Sequence, residues 1–262
     1  MGPVAVKKTE GSESPPLRPL DRLRNGKMSL NAALLQQLRA DLMSGRIAPG
    51  ARLKIPELSQ RYSVTPGAVR EALSRLVPEG LVSFADQRGF RAAEVTLKEL
   101  NDVTRVRIFV EREALREAME RGDDEWESEV LAAHHRLMRT ARKVGDATAP
   151  ESIEWTRRHR EFHAALISAC RSEWLLRLHN VLYDQSERYR LLSSEAGGGG
   201  RRDARGADDD HSRMVRAVLA RNEELALDLI QKHIERTAER VRAAMKRGSD
   251  ADAADGKPSQ PF

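Results

Sequence analysis

Apolar residues recur at helical spacing along most of this chain, and the places where that rhythm breaks divide it into elements. LNAALLQQLRADLMSG sets Leu30, Leu34, Leu38 and Leu42 one turn apart and ends on glycine, which predicts a helix near 30–44. IAPGARL reads as a turn. A short helix then spans Pro56–Tyr62, with Ser63–Val64 as the turn after it. Thr65 is a capping residue and Pro66 suits a first helical position, so the next helix runs from there to about Pro78. Two short strands come next, around LVSF and FRAAEV, with the tip of the ribbon at Asp86–Gly89.

From residue 97 onward the pattern is helical alone. It predicts about six helices, roughly 97–121, 125–143, 151–170, 172–194, 207–220 and 223–246. Asn222 caps the last of them. The glycine run Gly197–Gly200 and the charged RRDARGADDD behind it read as a flexible, solvated connector. The expected organisation is a polar tail over 1–27, a first domain over 28–95, a helical domain over 96–246 and a second disordered tail over 247–262. The fold class is mainly α: a winged helix-turn-helix of three helices and a small β wing, then an all-helical bundle.

Composition narrows the use of these parts. In 262 residues, 32% are charged and only 4% aromatic, which favours helices. No apolar run approaches the roughly 18–20 residues that span a bilayer, and no membrane partner is expected. The lone Cys170 excludes an internal disulfide framework and suits a reducing cytoplasm. Residues 1–95 carry 15 Lys/Arg against 9 Asp/Glu, whereas 96–262 carry 30 against 31. The basic excess therefore sits on the winged unit, as phosphate neutralisation on DNA requires. Thr65, Gly67, Ala68 and Arg70 lie at the N-terminal turn of the candidate recognition helix, with Arg75 further along it. Gln87, Arg88 and Arg91 flank Gly89 at the wing. Arginine there either pairs with guanine or holds a phosphate.

Four histidines can be placed by geometry. His159 and His163 are four residues apart, hence on one helical face. His211 lies about 10 residues before the turn near Arg221 and His233 about 12 after it. At about 1.5 Å per residue, an antiparallel pair brings them level. Converging imidazoles in a helical bundle make a candidate site for a divalent ion such as zinc or nickel. His134, His135 and His179 fit no such pattern and read as surface or packing residues.

The segment Leu30–Val95, with IAPGARL, PELSQRYSVTPGAVREALSRLVPEGLV and RGFRAAEV, resembles the N-terminal domain of the GntR superfamily of bacterial transcriptional regulators. The helical region behind it resembles the FadR branch of that superfamily, with its FCD effector domain, through VRIFVE, HREFH, His211 before MVRAVLARN, and QKHI. The family commonly carries Ser-Arg-Thr-Pro before Val-Arg-Glu-Ala-Leu. Here Thr65-Pro66-Gly67-Ala68 stands instead, so one customary arginine is replaced by Pro66 while Arg70 is retained. Metal-binding members usually supply Asp where this chain has His159. The run CRSEWLLRL, with GDDEWE and the paired histidines, resembles the glutarate-responsive repressors of the branch. The resemblance implies a homodimer on operator DNA, and a small carboxylate effector completing the metal's coordination. Arg107, four before Glu111, would grip that effector, with Ser172, Tyr183, Arg188 and Arg190 as further contacts.

These features are compatible with three functions. The first is a repressor released from its operator by a dicarboxylate. The second is a regulator for which the ion itself is the signal. The third is a metalloenzyme fused to a DNA-binding domain, but Glu161 inside HREFH lacks the order that a zinc hydrolase base requires.

Overall fold

A computed structural model describes residues 29–140, 150–195 and 201–254. The expected tail over 1–27 and the chain beyond Ala254 lie outside these residues. Helix α1 covers Leu30–Met43 and is capped by the Ser29 hydroxyl, which accepts from the Ala32 amide at 3.2 Å. Helix α2 covers Ile55–Tyr62, and α3 covers Pro66–Leu76. The turn between them passes through Ser63 at φ 55°, and the Thr65 hydroxyl caps α3 by accepting from Ala68 N at 3.3 Å. Leu34, Leu38 and Leu42 of α1 meet Val69, Leu73 and Leu76 of α3 in a shared core. Each fully buried leucine contributes about 1.5–3 kcal/mol.

The wing is an antiparallel pair, β1 (Val82–Ala85) and β2 (Gly89–Ala92), with Val82 opposite Ala92 and Ala85 opposite Gly89. A single bridge from Arg52 to Arg91 adds the segment before α2 to its edge. One buried acid braces the unit. Asp41 on α1 accepts from Gln37 and from the Tyr62 hydroxyl, both at 2.7 Å, and pairs with Arg46.

Among the described residues, six helices form the second region: α4 (Leu97–Arg121), α5 (Asp124–Met138), α6 (Pro150–Leu166), α7 (Glu173–Glu195), α8 (Arg201–Leu219) and α9 (Glu223–Ala254). Helix α4 packs on α7 and α9, α5 on α6 and α8, and α8 on α9. Phe162, Leu115, Leu137, Met214, Val218 and Ile230 meet in the main core. Caps mark the joints: Thr96 for α4, Asp123 for α5 and, as the sequence predicts, Asn222 for α9. Between α4 and α5 the backbone runs so close to Trp126 that a Cβ on Gly122 would fall 2.0 Å from the indole ring.

Two expectations need correction. RRDARGADDD is not a connector, because α8 begins at Arg201 and Asp210 on it is buried. Its acidic end faces partners on α9, which a reading of local charge cannot see. The second tail does not begin at 247, since α9 continues to Ala254. Among the described residues, no helix is long and apolar enough to cross a membrane.

Candidate functional site

Helices α6, α8 and α9 bring His159, His163, His211 and His233 to one point inside the bundle. One ring nitrogen from each lies within 4.8 Å of the others, and all four residues are buried. The pairing works because α6 presents two rings from one face, while α8 and α9 run antiparallel through the turn at Arg221. Rings of His211 and His233 sit 4.7 Å apart, level as helical rise requires.

The surroundings orient these rings. The Tyr183 hydroxyl of α7 shares a 2.7 Å hydrogen bond with His159 Nδ1, and Trp155 stacks face to face on the same ring at 4.6 Å. His233 Nδ1 lies 3.8 Å from Asp210, whose carboxylate is itself paired with Arg236 at 2.7 Å. Glu111 of α4 sits at the base of the cluster. It accepts from Arg107 Nε at 2.5 Å and lies 3.4 Å from His179 Nδ1 and 3.7 Å from His163 Nδ1. The last distance is too long for a hydrogen bond. Both nitrogens of His163 are buried without a hydrogen-bond partner among the described residues.

Electrostatics hold three of the four imidazoles, those of His159, His163 and His233, uncharged near neutrality. Burial pulls His159 well below the ordinary histidine range, and the neighbouring His163 and His211 push the same way. Burial also takes His163 down to about 4, partly opposed by Glu111. His233 is lowered by burial against the opposing pull of Asp210. Burial alone would raise Glu111, but Arg107, His163 and His179 outweigh it and hold the carboxyl well below its usual range. Imidazoles whose ring nitrogens converge are the donor set that nitrogen-preferring divalent ions take. The residues fit such an ion, and the unsatisfied nitrogens of His163 are the most direct sign of it.

The expected effector residues divide. Arg107 is buried beside the cluster, with its guanidinium carbon 4.8 Å from the centre of the Tyr183 ring. Arg190 pairs with Glu187, donates to Thr156 at 2.9 Å and lies 5.0 Å over Trp155. Ser172 lies elsewhere: it caps α7, accepting from Leu175 N, about 16 Å along the helix axis from Tyr183. Arg188 is buried but turned to the other side of α7, where it donates to the carbonyls of Ala93 and Glu94.

His179, read from sequence as a surface or packing residue, is buried against Glu111 and adjoins Tyr183, with ring centres 5.7 Å apart. Its position four residues before Tyr183 was the available signal. His134 does pack, 5.7 Å from Phe162, and His135 is exposed. Glu161 is tied to Arg157 and Arg158.

On the winged unit, Thr65, Gly67, Arg70 and Arg75 are exposed along α3, with Ala68 half-buried. Gln87 and Arg88 are exposed at the wing tip, where Gln87 and Gly89 both adopt left-handed backbone. Arg91 is exposed too, but donates to the Gly50 carbonyl at 3.0 Å and so braces the wing. The groove between α3 and the wing is lined by Arg70 and Arg88 and also by Arg52, Lys54 and the half-exposed Phe84. Those last three were not singled out from sequence, since only folding brings the turn before α2 against the wing.

The profile of bacterial regulatory proteins of the gntR family matches residues 30–91, and that of the FCD domain matches residues 102–236. The chain is 41% identical over 214 residues to the uncharacterized HTH-type transcriptional regulator BphR of Paraburkholderia xenovorans (strain LB400), covering 82% of this chain and 86% of that one. It is 35% identical over 204 residues to the HTH-type transcriptional repressor GlaR of Escherichia coli (strain K12), covering 75% and 89%. Among solved structures, E. coli McbR/YncC superposes with a TM-score of 0.63 at 21% identity, over 82% of this chain and 98% of that one. A GntR regulator from Rhodococcus sp. RHA1 gives 0.62 at 21%, over 83% and 99%. The two structures share the fold.

Proposed function

The chain belongs to the gntR family of bacterial regulatory proteins, a DNA-binding transcriptional regulator with an FCD domain behind its winged reader, and we propose that it is a homodimeric repressor released from its operator by a small carboxylate. The observation that carries this reading is the buried four-histidine cluster with Arg107 and Arg190 beside it. A divalent ion held by His159, His163, His211 and His233 would supply positive charge and Lewis acidity inside an apolar bundle. Arg107 would move from Glu111 to a carboxylate effector, since guanidinium binds carboxylate in a two-pronged fashion. A dicarboxylate suits two cationic groups placed on different sides of the cluster. The regulator acts in the cytoplasm, where its operator is.

Pairing of two chains is supported by an apolar face on neighbouring helices α4 and α7. Phe109 is 70% exposed and Trp174 69%, with Leu178 and Val181 further along α7. A patch of this kind is costly to leave in water, and a twofold axis through it would cover it and present two readers to a pseudo-palindrome.

In the reader, α3 enters the major groove with Arg70 at the base edges, while Thr65, Gly67, Ala68 and Arg75 line the approach. Gln87, Arg88, Gly89 and Arg91 bring the wing to the backbone. Arg70→Ala lowers operator affinity by about 5- to 150-fold, the equivalent of about 1–3 kcal/mol, and relaxes preference at one base pair. Fluorescence anisotropy with a matched set of single-base operator variants checks this.

A mobility-shift titration with glutarate tests the effector assignment. Metal-loaded protein releases its operator as glutarate rises, and protein stripped by a chelator does not respond. Unchanged binding at saturating glutarate, and with related dicarboxylates, sinks the effector assignment. One observation favours the ion itself as signal: four protein nitrogens already close a tetrahedral zinc site, leaving no position for a carboxylate. A six-coordinate ion such as nickel leaves two. Operator binding with and without chelator, in the absence of glutarate, separates the two readings: only an ion that is itself the signal makes them differ.

A further inference from the structure

Helix α7 touches both halves of the molecule: it packs on α4 and α9 of the bundle and on α1 of the reader. Its two sides do different things. On one side, Tyr183 is bonded to His159 and His179 lies against Glu111. On the other, the Gln185 amide donates at 2.5 Å to the main-chain carbonyl of Glu79, in the turn that ends the recognition helix.

That turn is shaped around the Gln185 side chain. Gly80 has φ of +70°, and a Cβ there would sit 3.0 Å from Gln185 Nε2. From the reader's side, Arg39 of α1 holds the Glu79 carboxylate with bonds of 2.5 and 2.8 Å. One turn along α7, Arg188 grips the carbonyls of Ala93 and Glu94, in the connector between wing and bundle. The two sides of α7 are also joined through Asp184, which pairs with Arg160, and Arg160 lies 5.1 Å over the Tyr183 ring.

This clamp is incompletely satisfied. Gln185 Oε1 and Arg188 Nε are buried with no hydrogen-bond partner among the described residues. Buried polar atoms left without partners subtract from the stability of the contact that holds them. The clamp is therefore poised for release by a small displacement of α7, and a packed helix transmits such a displacement along its length.

We propose that α7 carries the state of the histidine site to the DNA reader, with Gln185 and Arg188 as the positioning residues that clamp the reader to the bundle. The proposal rests on the histidine cluster being the regulatory site, as argued above. An ion or effector that draws His159 inward moves Tyr183 with it. The Gln185 amide, half a turn further on, then shifts against the Glu79 carbonyl to which it is bonded.

Reciprocity supplies the test. If zinc or glutarate changes operator affinity by some factor, operator DNA must change the affinity for that same probe by the same factor. The full-length protein is titrated with zinc, and zinc-loaded protein with glutarate, each with and without operator DNA. The wild type shows a coupling factor of about 5- to 150-fold. In Gln185→Ala the factor falls to within roughly twofold of unity, while zinc affinity without DNA stays unchanged. Gly80→Ala attacks the same contact from the reader's side and gives the same loss, so the test survives if one variant folds poorly. Variants that keep full coupling overturn the clamp alone. A wild type whose operator binding ignores both probes overturns the regulatory reading of the histidine site, and the clamp with it.

Discussion

Glu111→Ala is expected to destabilise the metal-free protein by about 3–5 kcal/mol, although Glu111 touches neither DNA nor solvent. The carboxylate is buried under three positively polarised neighbours, Arg107, His163 and His179, of which Arg107 is bonded to it at 2.5 Å. Removing the acid strands a guanidinium that is itself only 5% exposed. The desolvation cost of that charge stays, while its compensation is gone. Thermal melting without added metal should show a midpoint lowered on the order of 10 °C. A double variant, Arg107→Met with Glu111→Leu, removes both charges at similar volume and should recover most of the loss. If Arg107 is the effector grip, the double variant nonetheless stops responding to glutarate. A melting point for Glu111→Ala equal to wild type would show that Arg107 finds another partner.

The second large effect concerns protons and metal at the same cluster. His163→Ala should lower zinc or nickel affinity by at least about 100-fold, because it deletes a donor rather than a group that merely orients one. Acid should act in the same direction on the intact protein. An unfolded histidine takes up its proton near pH 6.5, whereas burial delays His163 until about 4 and holds His159 and His233 low as well. Between these values the unfolded chain binds more protons than the folded one, so stability falls as pH is lowered through that window. Glu111, also held low, adds to the same slope at its acid end. The folded imidazoles resist protonation, His163 until about 4, so added zinc should protect the fold at pH 7 and still at pH 5, and lose that effect only as pH approaches 4. Melting curves across that range, with and without zinc, read both terms. Protection by zinc that is already lost between pH 7 and 5 would point to an ion bound somewhere other than these buried histidines.

The helices were legible because their signals are local. Thr65 and Asn222 mark starts whose caps form as hydrogen bonds in the structure. The histidine cluster was legible for a related reason: helical rise and one tight turn fix the heights of His211 and His233. What escaped depends on which helix lies beside which. His179 stands four residues before Tyr183, but only the packing of α4 against α7 places it on Glu111. Arg188 comes five residues after Tyr183, a rotation that carries it away from the cluster to the connector. Asp210 sits in a run of charges that looks solvated, yet it folds onto His233 and Arg236.

The stacking of Trp155 on His159 gives the protein an optical reporter of its own. The rings lie 4.6 Å apart at an interplanar angle of 17°, while Trp126 donates to the Ala165 carbonyl in the main core and Trp174 faces water. An indole in face contact with an imidazole changes its emission when that imidazole gains a proton or a metal. Of the three tryptophans, only Trp155 lies against the cluster's rings, so a fluorescence change on loading would originate at the site that is being filled.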